Sequence, residues 1–263
     1  MQTRYPILLV HGLAMKDVLF LRAFGSIDRI LRSEGHRVFV SRIDSFGSIE
    51  TNAAALKGEI ADLLLETGAE KVNIIAHSKG GLDAKHMISA LDMAGRVASL
   101  TTLCTPHKGS PVADFVLGLP KWLLRPAAAV VNGVYRLLGD RQPDCLTAVT
   151  QLRRVEETLG QETVCFSDQV YCQSFSAVMR KGDRKADFVM RIPLLVSRYM
   201  EKDRESDGLV PRDSTLFGAY RGDALDGSVS HTEMVDFLVA GKKRERIHAF
   251  YSALCKELVQ MGF

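Results

Sequence analysis

The sequence has few cysteines and no pattern that would pair them. It contains five, an odd number, and no Cys-x-x-Cys pair occurs. Cys104 and Cys172 lie in apolar runs, where a free cysteine behaves as a small hydrophobic residue. We therefore expect reduced thiols, as in a cytosolic protein, and no metal cluster built on cysteine.

The chain also lacks a large charge of either sign. Its 34 Lys and Arg residues face 31 Asp and Glu residues, and the formal net charge of +3 is too small to indicate a nucleic-acid partner. The densest basic run, residues 242–246, begins a predicted C-terminal helix. We interpret this run as a solvated helix face, which is the usual place of such runs.

Long apolar runs are missing as well. No stretch of 18 apolar residues is free of charges, so we expect no transmembrane helix. The first ten residues, MQTRYPILLV, lack the apolar segment of a secretory signal. The sequence as given predicts a cytoplasmic protein, or a secreted one if a signal has been removed or if export needs no signal.

Short aliphatic runs alternate with segments of helical period along the chain. The runs at 7–10 and 72–76 are continuously apolar, as in parallel strands buried on both faces. The predicted strands are 7–10, 37–41, 72–76, 99–104 and 170–175. Apolar stripes predict helices around 56–64, 82–91 and 247–258. This alternation predicts an α/β fold with a mostly parallel, doubly wound sheet.

One region, from 110 to about 161, contains no clear strand. Its apolar residues recur at helical spacing, and the single tryptophan of the chain, Trp122, lies among them. A stripe of this kind is too apolar to face water, so the region either packs permanently on the core or covers a binding site. We predict one domain over 1–263, with a helical lid or cap inserted at about 110–161.

The segment VNIIAHSKGG, residues 72–81, ends a buried strand in a serine and then begins a helix. A nucleophile elbow has this arrangement, with a strained turn at the serine and small residues two positions away on either side. Ala76 and Gly80 occupy those positions, although glycine is usual at the first. The alternative is that Ser78 is only a helix N-cap. The buried strand and the partner residues favour a nucleophile.

A serine nucleophile needs a histidine base and a carboxylate that orients it, and after an elbow these follow in the order acid, then histidine. Of the seven histidines, His231 lies in a late Gly/Ser-rich loop that suits the base. Asp207, in the turn ESDGLVP, is the leading candidate for the acid. Asp203 and Asp213 are the alternatives, and Asp207 could also be an ordinary Asp-Gly turn.

Hydrolysis also requires hydrogen-bond donors for the negatively charged oxygen of the intermediate. One backbone N–H should come from Lys79, the residue after the nucleophile. The other should follow a second buried strand, and PILLVHGL, residues 6–13, provides the N–H of Leu13.

Taken together, YPILLVHGLA, AHSKGG, SDGLV and VSHTEMV resemble the bacterial true lipases of the α/β-hydrolase fold. These are the Pseudomonas, Burkholderia and Proteus type, with related clostridial lipases and polyester hydrolases. The resemblance implies Ser78 as nucleophile, Asp207 as acid and His231 as base, with Leu13 and Lys79 forming the oxyanion hole.

The resemblance also implies that the insertion is a helical lid. The residues that we expect to contact the acyl chain there are Phe115, Leu119, Trp122 and Leu123. Many of these lipases carry a structural calcium ion beside the histidine loop, and the matching ligands are Asp187 and Glu233. The family usually has aspartate at the second position, but calcium tolerates flexible oxygen geometry. No cofactor is implied for the chemistry.

The implied function is carboxylic-ester hydrolysis through an acyl-enzyme, most directly by a lipase that cleaves medium- or long-chain acyl glycerols at a lipid–water interface. The alternatives are an acyl-thioesterase or acyltransferase on the same residues, a short-chain or polyester-active esterase, and a non-catalytic binding protein. The set of Ser78, Asp207 and His231 argues against the last. The apolar insertion favours long acyl or polymeric substrates over small soluble esters.

Overall fold

A six-stranded parallel sheet forms the centre of the molecule. The computed structural model describes residues 2–17, 22–154, 169–180, 189–200 and 205–263. The strands are β1 (Ile7–Val10), β2 (Val38–Val40), β3 (Val72–His77), β4 (Val97–Leu103), β5 (Tyr171–Ser176) and β6 (Ala219–Asp223). They lie in the order β2-β1-β3-β4-β5-β6, and every neighbouring pair is parallel. The predicted α/β class is confirmed.

Helices connect the strands. In the described part of the chain they are α1 (Ile27–Ser33), α2 (Ile49–Thr67), α3 (Lys79–Ala90), α4 (Pro111–Leu117), α5 (Lys121–Leu137), α6 (Cys145–Thr150), α7 (Arg191–Met200) and α8 (Gly241–Gln260). Among these helices, none combines the length and the apolar character needed to span a bilayer.

Each face of the sheet has its own apolar core. In β1, Ile7 and Leu9 pack with α1 and α8 on one face, whereas Leu8 and Val10 pack with α2 and α3 on the other. Because helices cover both faces, every position of the strand is apolar. Helices thus cover both faces of the sheet, and the loops that leave its carboxyl edge after β1, β3 and β4 begin from buried strands.

The five predicted strands are confirmed, with ends that differ by at most two residues. The sixth strand, β6, escapes prediction because its sequence, AYRGD, has no apolar alternation. Among the described strands it pairs with β5 alone, at the edge of the sheet, and the side chains of residues 219–221 are exposed.

The described part of the predicted insertion, residues 110–154, contains no strand and consists of the helices α4, α5 and α6 joined by turns. Helix α4 packs against α6 and α7, and α5 packs against α6. The chain enters this group of helices after the carboxyl end of β4 and returns to the sheet at β5. The insertion therefore begins at the edge of the sheet where the loops after β1 and β3 also lie.

Candidate active site

Ser78 occupies the sharp turn between β3 and α3. Its backbone angles, φ 56° and ψ −134°, lie in a region that residues other than glycine rarely adopt. The Ser78 N–H donates to the carbonyl of Leu103 at the end of β4, at 2.9 Å, and so ties the turn to the sheet. The geometry is that of a strained strand-to-helix elbow.

Two glycines allow backbone segments to approach Ser78 closely. A Cβ atom on Gly80 would lie 2.4 Å from the carbonyl oxygen of His11, and one on Gly12 would lie 2.5 Å from Ser78 Cβ. No side chain fits at such distances, so both glycines are required for the loop after β1 to pack on the first turn of α3. This packing brings residues 11–13 next to Ser78.

Three polar side chains form one hydrogen-bonded series at this edge of the sheet. His231 Nε2 lies 2.8 Å from Ser78 Oγ, and His231 Nδ1 lies 2.7 Å from Asp207 Oδ2. All three side chains are buried, and Asp207 is buried completely. Such an arrangement can move a proton from the serine to the histidine, while the aspartate determines which ring nitrogen carries the hydrogen.

Asp207 also stabilises its own turn. Its Oδ1 accepts the N–H groups of Leu209 and Val210, at 2.9 and 2.8 Å. Asp207 therefore stabilises an Asp-Gly turn through one carboxylate oxygen and contacts His231 through the other. Of the alternative acids, Asp213 lies in the short 3-10 helix Arg212–Thr215, and Asp203 lies outside the described residues.

The two predicted oxyanion donors lie beside Ser78. Lys79 is the first residue of α3, and N–H groups in the first turn of a helix have no acceptor within that helix. Leu13 follows Gly12 and lines the cavity in front of Ser78. The positive end of the α3 dipole further favours negative charge at this place.

The side chain of Lys79 forms a buried ion pair within α3. Its Nζ lies 2.6 Å from Asp83 Oδ1, and Asn52 Nδ2 donates to Asp83 Oδ2 at 2.9 Å. Burial raises the pKa of Asp83 to about 6, against the opposing effect of Lys79. The pair joins the first two turns of the helix that carries the Lys79 N–H.

His77, directly before Ser78, supports the histidine loop and was not predicted to do so. Its Nε2 lies 3.0 Å from the carbonyl oxygen of His231, and the two rings lie 4.5 Å apart. Burial, helped by the neighbouring His231, holds the pKa of His77 well below 6.5. The ring is therefore neutral, and Nε2 donates its hydrogen to the carbonyl. The available signal was its place in the elbow sequence AHSKGG.

A cavity of about 370 Å³ lies in front of Ser78 and His231, and most of its lining is apolar. Its walls come from the insertion, from the loop after β1, from the segment before α7 and from the turn after Asp207. The insertion contributes Val112, Ala113, Val116, Val149 and Leu152. Apolar pockets with a few polar groups at one end are typical of binding sites.

The four predicted acyl-contacting residues do not line this cavity. The sequence predicts that these four residues, Phe115, Leu119, Trp122 and Leu123, belong to one apolar helical stripe of the insertion. Helix α4 ends at Leu117 and α5 begins at Lys121, and this break changes the helical phase. This change of phase accounts for Trp122 and Leu123 of α5, which are 77% and 47% exposed. It does not account for Phe115, which belongs to α4 together with the cavity-lining Val112 and Val116 and is 39% exposed. The cavity therefore uses other apolar residues of the insertion than the four predicted.

The predicted calcium ligand Glu233 is ion-paired within the chain. Lys243 Nζ lies 2.9 and 3.2 Å from its two carboxylate oxygens, and the N–H of Ser230 donates to Oε2 at 2.9 Å. An ammonium group at this position repels a second cation, so Glu233 does not fit a calcium site. The other predicted ligand, Asp187, lies outside the described residues.

The basic run 242–246 faces the histidine loop. Besides the contact of Lys243, Arg244 binds Asp236 through Nε and Nη2 at 2.7 and 3.0 Å. Arg246 Nη2 donates to the carbonyl of Asp226 at 2.5 Å. Lys242, Glu245 and Arg246 are exposed, as the interpretation of a solvated helix face requires, whereas Lys243 and Arg244 are half-buried against the loop, and the interpretation is wrong for those two residues.

Known proteins similar to this chain are lipases and esterases. No protein-family model matches it. A triacylglycerol lipase of Vibrio cholerae is 41% identical over 119 residues, which are 45% of this chain and 38% of that protein. Triacylglycerol lipase 2 of Saccharomyces cerevisiae is 24% identical over 278 residues, covering 94% of this chain and 76% of that protein. The chain thus matches less than half of the length of its bacterial relative.

Among solved structures, a metagenomic carboxyl esterase superposes with a TM-score of 0.73 at 18% identity, covering 97% of this chain and 76% of that one. At this identity the likeness shows the fold. The predicted resemblance is confirmed: the chain has the α/β-hydrolase fold and is related in sequence to the bacterial triacylglycerol lipases.

Proposed function

We propose that the chain is a serine carboxylic-ester hydrolase that cleaves medium- or long-chain acyl esters such as acyl glycerols. The observation that carries this proposal is the hydrogen-bonded series of Ser78, His231 and Asp207 at one end of an apolar cavity. A histidine that is oriented by a buried carboxylate can activate a serine hydroxyl for acyl transfer. The similarity to the Vibrio triacylglycerol lipase supports the same reaction class.

In the first half of the reaction, Ser78 Oγ attacks the carbonyl carbon of the ester, and its proton passes to His231 Nε2. The carbonyl oxygen becomes negative and accepts the N–H groups of Leu13 and Lys79. The bond between the carbonyl carbon and the alcohol oxygen then breaks. His231 gives its proton to the departing alcohol, and an acyl group remains on Ser78.

In the second half, water gives a proton to His231 Nε2 and attacks the acyl carbon. The bond to Ser78 breaks, the proton returns to Ser78 Oγ, and the carboxylic acid leaves. Asp207 orients His231 and stabilises the positive ring that forms when Nε2 takes up a proton. Apart from the substrate and the attacking water, the groups that take part in these steps belong to the chain.

The cavity supports an apolar acyl chain as the preferred substrate group. Val112, Val116 and Leu152 are among the side chains that line it. Each methylene that leaves water contributes about 0.8 kcal/mol, so several buried methylenes distinguish an octanoyl ester from an acetyl ester. The acyl group would occupy this cavity, with its carbonyl next to Ser78.

The insertion supports action at a lipid surface. On α5, Trp122, Val130 and Leu137 are 77%, 66% and 90% exposed. Exposed apolar surface of this kind marks a place that meets a partner or a lipid. We assign α4, α5 and α6 as a lid, because α4 and α6 form part of the cavity wall while α5 presents apolar side chains outward.

Hydrolysis of p-nitrophenyl esters from acetate to palmitate, beside a triglyceride emulsion, tests the proposal. We expect kcat/KM to rise about ten-fold or more from acetate to octanoate, because more methylenes are buried. Ser78→Ala should lower kcat by a factor on the order of 10⁴ without changing the circular dichroism spectrum. Trp122 emission should shift when emulsion is added.

The alternatives give other results. A flat chain-length profile with unchanged Trp122 emission would indicate a plain esterase with a fixed cap. Faster turnover of acyl-CoA than of the matching ester would indicate a thioesterase. Normal turnover in Ser78→Ala would overturn the proposed nucleophile.

A further inference from the structure

His231 lies in the loop between β6 and α8, so its position depends on what holds that loop. Ser230 and Glu233 form a reciprocal pair around it. The Glu233 N–H donates to Ser230 Oγ at 3.2 Å, and the Ser230 N–H donates to Glu233 Oε2 at 2.9 Å. These two bonds have the reciprocal geometry of a capping box, and they enclose His231 and Thr232 directly before the 3-10 helix Glu233–Val235.

Helix α8 holds this capping box from outside. Lys243 Nζ contacts both oxygens of Glu233, and the two side chains are 25% and 8% exposed. Three residues along the loop, Asp236 accepts from Arg244, from the N–H of Ser26 and from the Ser26 hydroxyl. Two neighbouring basic residues of one helix thus bind two acidic residues on the loop that carries His231.

We propose that Lys243 is a positioning residue for His231 and that its ammonium takes the place of a structural metal ion at Glu233. This inference rests on the proposed function, because it concerns the base of the same reaction. Within the described residues, Lys243 is the cation that contacts both Glu233 oxygens, at 2.9 and 3.2 Å. Since the pair neutralises Glu233 from within the chain, activity does not depend on calcium.

The chain of contacts explains why a distant ammonium affects the reaction. Lys243 orients the Glu233 carboxylate, the carboxylate holds the Ser230 N–H, and Ser230 directly precedes His231. His231 Nε2 must stay near its 2.8 Å separation from Ser78 Oγ. Misplacement of a reacting group by about 1 Å can cost about 10²-fold in rate. The pair therefore acts on the position of the base and not on substrate binding.

The test compares Lys243→Met with Lys242→Met, a matched change at the exposed neighbour on α8. We expect Lys243→Met to lower kcat about ten-fold or more, with KM within about two-fold, because the base is displaced and the acyl cavity is intact. Lys242→Met should resemble the wild type. Lys243→Arg, which keeps the charge, should recover most of the lost kcat.

A double-mutant cycle shows whether the pair acts as a unit. Glu233→Gln should lower kcat, and the double variant with Lys243→Met should lose less than the two single effects combined, because both changes break the same interaction. Hydrogen–deuterium exchange of residues 226–236 gives a second reading without activity. It should be faster in Lys243→Met and unchanged in Lys242→Met. If Lys243→Met is unstable, Lys243→Arg and Glu233→Gln carry the test.

The third experiment tests whether the activity and the Tm depend on calcium. EDTA should change neither kcat nor Tm of the wild type, and added calcium should restore nothing. Loss of activity in EDTA with recovery on calcium would overturn the inference. Equal kcat in Lys243→Met and Lys242→Met, with equal exchange rates, would also overturn it. If the wild type hydrolyses no ester, or Ser78→Ala remains active, the proposed function fails instead, and the exchange experiment still reports on the Lys243 contact.

Discussion

Two ion pairs flank the series of Ser78, His231 and Asp207, and they differ in burial and in reach. Lys79 and Asp83 are each 1% exposed and lie one turn apart in α3, the helix that begins at the Ser78 turn. Lys243 and Glu233 are 25% and 8% exposed and join α8 to the histidine loop. One pair is internal to a helix of the core, and the other connects two separate segments.

The difference in burial decides what each pair does. Two fully buried charges lose their water, and their attraction hardly repays that loss, but removing one partner leaves the other charge stranded. The pKa of Asp83, raised to about 6 by burial, reflects this cost. A pair that retains contact with water contributes little to stability. We therefore expect Asp83 to matter for folding and Lys243 to matter for the position of His231.

The largest effect should come from removing His231, the histidine in the hydrogen-bonded series that the two ion pairs flank. His231→Gln removes the base between Ser78 and Asp207, and kcat for a p-nitrophenyl ester should fall by a factor on the order of 10⁴. His86→Gln, a change to a half-buried histidine of α3, is the control and should retain kcat within about two-fold of the wild type. If kcat falls by less than about ten-fold in His231→Gln, His231 is not the base.

The next effect should come from breaking the buried pair. Asp83→Asn strands the Lys79 ammonium and should lower the free energy of unfolding by about 3–5 kcal/mol in urea titrations. The double variant Lys79→Met with Asp83→Leu should recover most of this loss, because no charge remains to be buried. Glu233→Gln, which breaks the pair with Lys243, should lower the free energy of unfolding by less than about 1 kcal/mol. Equal losses for Asp83→Asn and Glu233→Gln would contradict the comparison.

A pH titration of stability sharpens the contrast between buried and exposed groups. Burial lowers the pKa of His107 from 6.5 to about 3, and Lys85 adds to the effect. As the pH falls, His107 binds a proton near pH 6.5 in the unfolded chain but only near pH 3 in the folded chain. The contribution of His107 is therefore complete above pH 6.5 and is lost as the pH falls toward 3. Asp83 acts in the opposite direction, because its raised pKa favours folding below about pH 6.

For His107 alone the expected loss at pH 5 is about 2 kcal/mol. Urea midpoints of the wild type and of His107→Gln at pH 7 and pH 5 measure it. The variant should lose about 2 kcal/mol less than the wild type between the two pH values. His86→Gln should follow the wild type, and an equal pH dependence in all three proteins would refute the effect of burial on His107.

The smallest effect on folding is expected far from both pairs, at Trp122. Because this side chain is 77% exposed, Trp122→Ser should change the free energy of unfolding by less than about 0.5 kcal/mol. Hydrolysis of a soluble short ester should be unchanged, whereas hydrolysis of an emulsion should slow several-fold as apolar contact with lipid is lost. If Trp122→Ser hydrolyses both the soluble ester and the emulsion at the wild-type rate, α5 does not contact the lipid.

The sequence predicted the parts of the site that follow from local chemistry. Ser78, Lys79 and Leu13 come directly after apolar strands, and the carboxyl ends of parallel strands meet at one edge of the sheet. Asp207 and His231 were proposed from turn residues and chain order. They are 24 residues apart, and the 2.7 Å contact between them is made by tertiary structure.

Features that depend on packing could not be predicted in the same way. Lys243 lies in a basic run that is indistinguishable in sequence from a solvated face, although its partner Glu233 is only ten residues away. Trp122 and Leu123 were wrongly predicted to contact the acyl chain because residues 118–120 separate α4 from α5, which no periodicity count registers. Phe115 lies in α4 itself, and its exposure follows from packing. Strand β6 is missing from the prediction because an exposed edge strand carries no apolar signal.

The central claim is that Ser78 forms the acyl-enzyme, and covalent labelling tests it most directly. A p-nitrophenyl alkylphosphonate should release nitrophenol and add its phosphonyl group to one residue, which peptide mass spectrometry should place at Ser78. Labelling should be far slower in His231→Gln and absent from Ser78→Ala. An active protein that carries the label at another residue, or that stays unlabelled while it is inactivated, would contradict the account.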